Sequence, residues 1–256
     1  MRPDEALGPK FIVYHDVVAA ACGDAPLARA RFAGHVSAIV GAGYRFASMA
    51  QFLSGVTLES RDVIVTVDDG ARSFLDVMWP VLHEHGALPT LFVVSGFAGR
   101  AGRDVEFLDW DELAELAAAG VEIGCHCVSH LPLNEIAPER MRAEIAESTA
   151  ELQTRGFTPR VLAYPFGRFD EATKAVTRDA GYEAAFSVMG GGFDRYEIRR
   201  RLLTGLEGSL AVRFVLGDAF FSVREAARAV TPRSMLRQEQ PIEPERWGPQ
   251  AFGIEG

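Results

Sequence analysis

The chain has 256 residues, of which 48% are hydrophobic, and a formal net charge of -9 at pH 7. This length and apolar content suit one large α/β domain with a substantial core. The net negative charge, together with the lack of a separate cluster of Lys and Arg, disfavours nucleic acids and other polyanions as partners. The three cysteines show no disulfide pattern, which indicates a reducing compartment, and no apolar run approaches the ~20 residues of a membrane span.

Apolar, β-branched segments alternate with amphipathic segments along the whole chain. The predicted strands are 10–17, 44–47, 63–67, 89–95, 121–126, 161–164 and 184–188. The predicted helices are 28–43, a short one through 52–53, 73–85, 109–119, 137–156, 170–181 and 210–230. This alternation is typical of a mainly parallel α/β barrel or sheet. Residues 1–232 are predicted to form a single domain, and 233–256 an extended or disordered tail.

The predicted strand over 63–67 ends abruptly in Asp68, Asp69 and Gly70. Its short, β-branched residues are those of a strand covered on both faces. Two adjacent buried carboxylates would each cost on the order of several kcal/mol unless they were paired or bound to a metal. Gly70 permits a sharp turn or a close approach to a ligand. The stretch therefore indicates a functional site, or else a turn in which Asp69 caps the helix that begins near Ser73.

Three other predicted strands also end in polar groups: His15, then His126 with His130, and finally Tyr164 before Pro165-Phe166-Gly167. In α/β folds the carboxyl ends of parallel strands meet on one face, where sites are built. Two imidazoles and one carboxylate leave coordination positions open for water and substrate, so Asp69, His126 and His130 form a sensible catalytic ligand set. His15, considered alone, could equally be a hydrogen-bonded core histidine.

Cys125 and Cys127 flank His126 and are metal-ligand types themselves. Side chains alternate between the two faces of a strand, so both thiols are expected on the face opposite His126. A buried thiol behaves as a small apolar group. We therefore predict that both cysteines pack in the core.

Three motifs resemble those of the polysaccharide deacetylase family, which is carbohydrate esterase family four with the NodB-homology domain. They are Thr66-Val-Asp-Asp-Gly70, His126-Cys-Val-Ser-His130 and Ala163-Tyr-Pro-Phe-Gly167, in the order and separation of the family. The similarity covers about residues 10–205. The resemblance implies a distorted (β/α)7 barrel and metal-dependent removal of N- or O-acetyl groups. It also implies a divalent ion, usually zinc, with cobalt, nickel or iron as alternatives.

By position in these motifs, the resemblance implies that Asp68 is the general base and that Asp69, His126 and His130 are the metal ligands. A carboxylate beside the metal, but not bound to it, can take a proton from the attacking water. A backbone N–H near Phe166 is expected to hold the oxyanion, with Tyr164 as a further oxyanion or substrate contact.

The sequence departs from the commoner family pattern. No histidine follows His130, although that pattern uses a late histidine as its general acid. Tyr14-His15-Asp16 is instead similar to the opening motif of a circularly permuted branch, typified by poly-N-acetylglucosamine deacetylases, so His15 is expected to be the acid. Ala163 stands where the family usually has an arginine that orients the base. Arg199 or Arg200 could substitute, although nothing in the sequence positions them, and the fourth motif has no clear counterpart.

The leading hypothesis is a metal-dependent enzyme that hydrolyses the carbon–nitrogen bond of an N-acetyl group on a sugar or sugar-containing molecule. The alternatives are a hydrolase of another small-molecule amide or ester, because fold does not determine substrate, and a catalytically lapsed carbohydrate-binding protein. The set of Asp68, Asp69, His126, His130 and His15 argues against a lapsed binding protein, because carbohydrate binding alone does not need these ionisable residues. No signal peptide follows Met1, so a cytoplasmic enzyme with an acetylated carbohydrate or small-molecule substrate is expected, without nucleic-acid or membrane partners. A homo-oligomer is left open.

Overall fold

The computed structural model describes residues 8–15, 25–102, 105–188, 194–203, 208–218 and 220. Its strands are β1 (Lys10–Tyr14), β2 (Arg45–Ala47), β3 (Asp62–Val67), β4 (Thr90–Val93), β5 (Glu122–Cys125), β6 (Val161–Ala163), β7 (Ala184–Ser187), β8 (Ile198–Arg199) and β9 (Arg201–Leu202). They form one sheet in the order β8-β7-β6-β5-β4-β3-β1-β9, with β2 also paired to β3. Every strand pair is parallel, as the alternation of strands and helices predicts.

One segment of chain closes the sheet into a barrel. β8 pairs with β7, β9 pairs with β1, and Arg200 alone separates β8 from β9. The Arg200 N–H donates to Ser187 O at 2.8 Å, and the Leu203 N–H donates to Val13 O at 2.9 Å. With β8 and β9 as one closing strand, the barrel has the seven strand positions of the expected (β/α)7 fold, which is confirmed.

The short strand β2 pairs with β3 but lies off the path of the barrel strands. It pairs with residues 62–64 of β3, whereas β4 pairs with Thr66 and Val67 farther along the same strand. The closing segment is absent from the predicted strands because three consecutive arginines, residues 199–201, interrupt its apolar pattern.

Helices cover the outside of the barrel. They are α1 (Ala25–Gly41), α2 (Met49–Leu53), α3 (Trp79–Glu84), α4 (Trp110–Ala118), α5 (Pro138–Thr154), α6 (Glu171–Asp179) and α7 (Ser209–Leu216). The side chains of Asp109 and Asp170 cap the N-termini of α4 and α6. A π-helical turn, Phe74–Met78, precedes α3 and divides the predicted helix near Pro80.

The prediction of one continuous helix over 210–230 is wrong. α7 ends at Leu216, and Gly217 leaves the helix with φ -65° and ψ 150°. Glycine has a low helix propensity, about 1 kcal/mol less favourable than alanine, which is consistent with a break there. Residues 221–230, the predicted tail over 233–256 and the domain boundary at 232 lie outside the described residues.

No helix in the described parts of the chain combines the length and the apolar character needed to cross a membrane.

Two apolar layers position the polar mouth of the barrel. The outer layer packs the barrel against the helices and contains the valines of β3, together with Cys125 and Cys127, which confirms the predicted packing of both thiols. The inner layer fills the barrel and includes Phe11, Ile64, Phe92 and Phe186. Because side chains alternate along a strand, Ile64 is followed on the inner face by Thr66 and then by Asp68 at the mouth.

Candidate active site

The two aspartates that follow β3 have different backbone conformations. The Asp68 N–H donates to Tyr14 O at 3.0 Å, which continues the pairing with β1. Asp69 has φ 76°, in the left-handed region that favours glycine, and Gly70 follows with φ 83°. The chain therefore turns at Asp69, and the two carboxylates face different partners. A left-handed aspartate costs on the order of 1–3 kcal/mol and is typical of functional sites.

Asp69, His126 and His130 bring three ligand-type atoms together. Asp69 Oδ1 lies 3.5 Å from His126 Nε2 and 3.3 Å from His130 Nε2, and the three atoms lie within 4.8 Å of one another. Ligands about 2.0–2.1 Å from a tetrahedral zinc ion are about 3.3–3.4 Å apart, so this spacing fits a divalent cation. Asp69 Oδ1 and His126 Nε2 are buried and lack hydrogen-bond partners, which leaves a lone pair on each for a cation.

Neighbouring strands orient the His126 side chain. The His126 backbone N–H donates to Val93 O at 2.9 Å, and its Nδ1–H donates to Ala163 O at 2.7 Å. A carbonyl oxygen only accepts, so the proton is on Nδ1 and the lone pair of Nε2 faces Asp69. Burial lowers the pKa of His126 to about 4, which keeps the imidazole in the neutral form that binds metals.

The donor cluster concentrates backbone strain. Among the described non-glycine residues, positive φ occurs at Asp69, Cys127, His130 and Phe166. The Phe166 ring packs edge-on against the imidazole of His130, with the centroids 4.4 Å apart. Three of these four residues thus belong to the cluster or pack against it, as expected where surrounding structure imposes a functional geometry.

Arg200, between β8 and β9, forms a bidentate ion pair with Asp68. Its Nη1 and Nη2 donate to Asp68 Oδ1 and Oδ2, each at 2.7 Å, and Nη1 also donates to Thr66 Oγ1 at 3.0 Å. Arg200 is completely buried, and its guanidinium carbon lies 5.3 Å from the ring centroid of Phe92 and 6.0 Å from that of Phe186. The planar fork therefore holds the carboxylate in one orientation.

The two aspartates have opposite pKa shifts. Burial alone would raise the pKa of Asp68, but Arg200, His126 and His15 lower it to about 2. Burial raises the pKa of Asp69, and the nearby cationic groups offset only part of that effect. Asp68 is therefore an ionised carboxylate paired with Arg200, whereas its neighbours compensate the charge of Asp69 only in part.

The arginine that the sequence could not position is Arg200. Ala163, in the third motif, has no charge to offer, and Arg200 of the closing segment supplies the guanidinium that pairs with Asp68. Arg200 stands in a run of three arginines, and no local pattern distinguishes it from its neighbours. Only the closure of the barrel places it beside Asp68.

His15 follows β1 at the mouth of the barrel. Its Nε2 lies 3.7 Å from Asp68 Oδ2, which is beyond hydrogen-bond distance. The side chain of His15 is 40% exposed and that of Asp68 only 3%, so the imidazole lies between the carboxylate and solvent. Asp16, the last residue of the predicted first motif, lies outside the described residues.

Tyr164 belongs to the outer apolar layer and not to the donor cluster. Its hydroxyl donates to Tyr196 O at 2.9 Å, its ring stacks on Phe169 at 5.1 Å, and burial raises its pKa. Tyr164 thus packs beneath the turn that carries Phe166, and the two residues expected to act together have different surroundings.

Comparison with known proteins places the chain in a family. The model of a family described as polysaccharide deacetylase matches residues 55–185. YxkH of Bacillus subtilis (strain 168), which is named for the same family, is 29% identical over 154 residues. That match covers 57% of this chain and 53% of the relative, so the chain spans about half the length of this curated relative.

Solved structures share the fold at low sequence identity. IcaB from Ammonifex degensii has a TM-score of 0.72 and 23% identity, over 82% of this chain and 98% of that one. The Streptococcus pyogenes deacetylase PplD has a TM-score of 0.68 and 19% identity, over 82% and 98% of the two chains. A de-N-acetylase from Aggregatibacter actinomycetemcomitans has a TM-score of 0.67 and 18% identity, over 81% and 99%.

These structures support the barrel, and the family model supports the motifs. The matched residues make up just over half of the chain and contain both aspartates, both histidines of the donor cluster and the turn at Phe166. The chain belongs to the polysaccharide deacetylase family.

Proposed function

We propose that this protein is a metal-dependent deacetylase that hydrolyses the carbon–nitrogen bond of an N-acetyl group on a sugar or sugar-containing molecule. The observation that carries the proposal is an Asp-His-His set of three convergent ligand atoms beside an arginine-paired carboxylate at the barrel mouth. Family membership supports acetyl-group chemistry, and the related PplD structure is a complex with acetate, the acid product of such a reaction.

Asp69, His126 and His130 are the proposed metal ligands, and zinc is the proposed metal. A bound zinc ion would polarise the acetyl carbonyl and lower the pKa of a water molecule at the same centre. The same donor set also suits Co²⁺, Ni²⁺ and Fe²⁺. The neutral imidazole of His126, with Nε2 directed at Asp69, is ready to bind without first losing a proton.

Asp68 is the proposed general base. Each carboxylate oxygen has two lone pairs, and Arg200 occupies one on each of Oδ1 and Oδ2. The remaining lone pair of Oδ2 is on the oxygen nearest to His15 Nε2, at 3.7 Å, and to His126 Nε2, at 4.0 Å. Asp68 would accept the proton of the attacking water there, while Arg200 keeps the carboxylate ionised and oriented until the transfer.

His15 is the proposed general acid. The nitrogen that leaves an acetamide needs a proton, because an amide anion is a poor leaving group. The imidazole is the side chain that exchanges protons most readily near neutral pH, and His15 lies at the mouth between Asp68 and solvent. The backbone near Phe166 is proposed to bind the oxyanion of the carbonyl, with Tyr164 supporting the turn.

The test is acetate release by protein stripped of metal with a chelator and reloaded with Zn²⁺, Co²⁺ or Ni²⁺. N-acetylglucosamine and its oligomers are expected to release acetate only after metal is added. An O-acetylated sugar and an acetamide without a sugar, in the same panel, report the alternative ester and amide activities. The His126→Ala variant is the control for contaminating hydrolase.

No acetate from any N-acetylated sugar, with folded and metal-loaded protein, would contradict the proposal. Hydrolysis of the ester or the non-sugar amide alone would favour the hydrolase of another substrate. Sugar binding without any hydrolysis would favour the lapsed binding protein.

A further inference from the structure

We infer that Glu144 is a positioning residue for the metal site. Its carboxylate holds the loop between His126 and His130 in the conformation that brings His130 to Asp69. Glu144 lies on α5, outside the barrel, and acts on the site only through the backbone of this loop. The inference rests on the proposed metal-binding function.

Glu144 is a charged residue in a fully buried position. Its exposed fraction is 0%, and a buried carboxylate is costly unless it is paired and hydrogen-bonded. Arg140, one turn earlier on α5, donates from Nη2 to Glu144 Oε1 at 2.5 Å and remains 47% exposed. This ion pair balances the charge and leaves the second oxygen, Oε2, available to the loop.

Glu144 Oε2 accepts hydrogen bonds from two successive backbone N–H groups of the loop. The donors are Val128 at 3.0 Å and Ser129 at 2.8 Å, the two residues that immediately precede His130. Arg140 Nη2 also donates to Ser129 Oγ at 3.1 Å. Two adjacent N–H groups directed at one oxygen restrict the rotation of both peptide planes, and thus the direction in which the chain enters His130.

The opposite side of the loop is bonded to the segment that follows β4. The Ser95 N–H donates to Cys127 O at 3.0 Å, and the Gly96 N–H donates to Val128 O at 3.1 Å. A Cβ atom at Gly96 would lie 2.5 Å from Val128 O, so this approach requires glycine. The carbonyl groups of the loop are therefore held from one side, and its N–H groups are held by Glu144 from the other.

The hydrogen bonds that hold this loop are important because His130 has a strained backbone conformation. Its φ of 53° lies in the left-handed region, which is sterically unfavourable for a non-glycine residue. Loss of the Glu144 bonds would let the loop relax and shift His130 Nε2 from its place 3.3 Å from Asp69 Oδ1. Loss of a group that supports a metal ligand typically lowers metal affinity about 10- to 100-fold.

The experiment compares Glu144→Ala and Glu144→Gln with wild-type protein, with Leu152→Ala as the matched control. Leu152 is also completely buried on α5, and its truncation should lower the melting temperature without touching the bonds of the loop. Co²⁺ affinity of the metal-free proteins is measured in competition with a chromophoric chelator, at a temperature where unfolding curves show each protein to be folded. The visible spectrum of bound Co²⁺ reports the ligand set.

Glu144→Ala is expected to weaken Co²⁺ binding about 10- to 100-fold and to change the spectrum. Glu144→Gln should retain most of the affinity, because an amide oxygen can still accept both N–H groups. Leu152→Ala should lose stability and keep wild-type affinity. Glu144→Met, which keeps the buried volume but removes the acceptor, should show the alanine effect if the alanine variant does not fold.

Wild-type affinity in Glu144→Ala or Glu144→Met would overturn the positioning role. An equal loss of affinity in Leu152→Ala would assign the effect to stability and would overturn it as well. Absence of Co²⁺ binding by the wild-type protein is a different result, because it contradicts the proposed metal site itself.

Discussion

Asp68 and Asp69 are adjacent in the chain, yet their carboxylates lie in different electrostatic surroundings. Asp68 has both oxygens paired with Arg200 and a pKa lowered to about 2. Asp69 Oδ1 is buried without a hydrogen bond, and burial raises the pKa of its carboxyl group. A carboxylate already paired gains little from a cation, whereas an unpaired buried one gains much. Metal binding and proton transfer should therefore be separable by single substitutions.

Asp68→Asn is expected to keep the metal and to lower kcat by about 10²–10⁴, because an amide cannot act as the base. Asp69→Asn is expected to lose the metal. Elemental analysis after dialysis, with acetate release from the same samples, measures both effects. Stability should be followed in parallel, since Asp68→Asn leaves Arg200 as a buried, unpaired charge at a cost of about 3–5 kcal/mol. Metal loss in Asp68→Asn with metal kept in Asp69→Asn would reverse the two assignments.

His15 can be tested through the leaving group. A general acid is needed when a poor amine leaves and matters far less when a phenolate leaves. His15→Ala should therefore slow acetamide hydrolysis by about 10²–10⁴ and largely spare an activated aryl acetate. Metal content and melting temperature should change little, because the side chain is half-exposed. Equal losses on both substrates, with a fall in stability, would favour a role in bracing β1.

At the scale of elements, the closing segment links the barrel wall to Asp68. Before β8, Lys174 of α6 donates to Asp194 Oδ2 at 3.3 Å and to Glu197 Oε2 at 2.8 Å. After β9, the Leu203 N–H is bonded to β1. The segment is therefore anchored on both sides of Arg200. The position of the guanidinium follows from strand pairing and not from local sequence.

Arg200→Lys keeps the charge but loses the planar fork, so it should keep the metal and lower kcat. We expect a fall of about tenfold or more, equivalent to ~1.4 kcal/mol of transition-state stabilisation. Metal content and steady-state kinetics measure the two effects. Arg199→Lys, at the adjacent position, is the matched control and should stay close to wild type. Equal effects of the two substitutions would argue against a specific pairing of Arg200 with the base.

At the scale of the molecule, the donor cluster joins parts of the chain that are far apart in sequence. Asp69 follows β3, while His126 and His130 follow β5, and β4 separates those strands. Such a site does not exist in the unfolded chain, so a cation bound there stabilises the fold. Cytoplasmic location stays a prediction of the sequence, which leaves a homo-oligomer open.

Zinc at 100 times its dissociation constant should stabilise the folded protein by about 2.7 kcal/mol. For a chain of this size, that corresponds to a rise in melting temperature of about 5–10 °C. His126→Ala should abolish the shift, and His83→Ala, at an exposed position on α3, should retain it. Thermal unfolding with and without Zn²⁺ measures both. A shift that persists in His126→Ala would place the stabilising ion elsewhere.

The sequence by itself determined the strands β1 to β7 and the polar residues that follow several of them. Val63 to Val67 form a β-branched run that two aspartates end, and alternation separates His126 from Cys125 and Cys127. Such features depend on residues one to four positions apart, so they can be recognised locally. The three family motifs then predicted a barrel fold and the expected metal ligands.

Only the tertiary structure decided which groups support the proposed metal ligands and the proposed base. Arg200 lies 132 residues after Asp68 in the chain. Glu144 lies on α5, outside the barrel, whereas the donor cluster lies at the mouth of the barrel. Neither contact leaves a periodic signal, because each depends on how the sheet closes or how α5 packs. Arginines also interrupt the apolar pattern of residues 198–202, so the sequence does not predict the closing strand. A buried guanidinium is unfavourable without a partner, and only the closed barrel brings Asp68 to it.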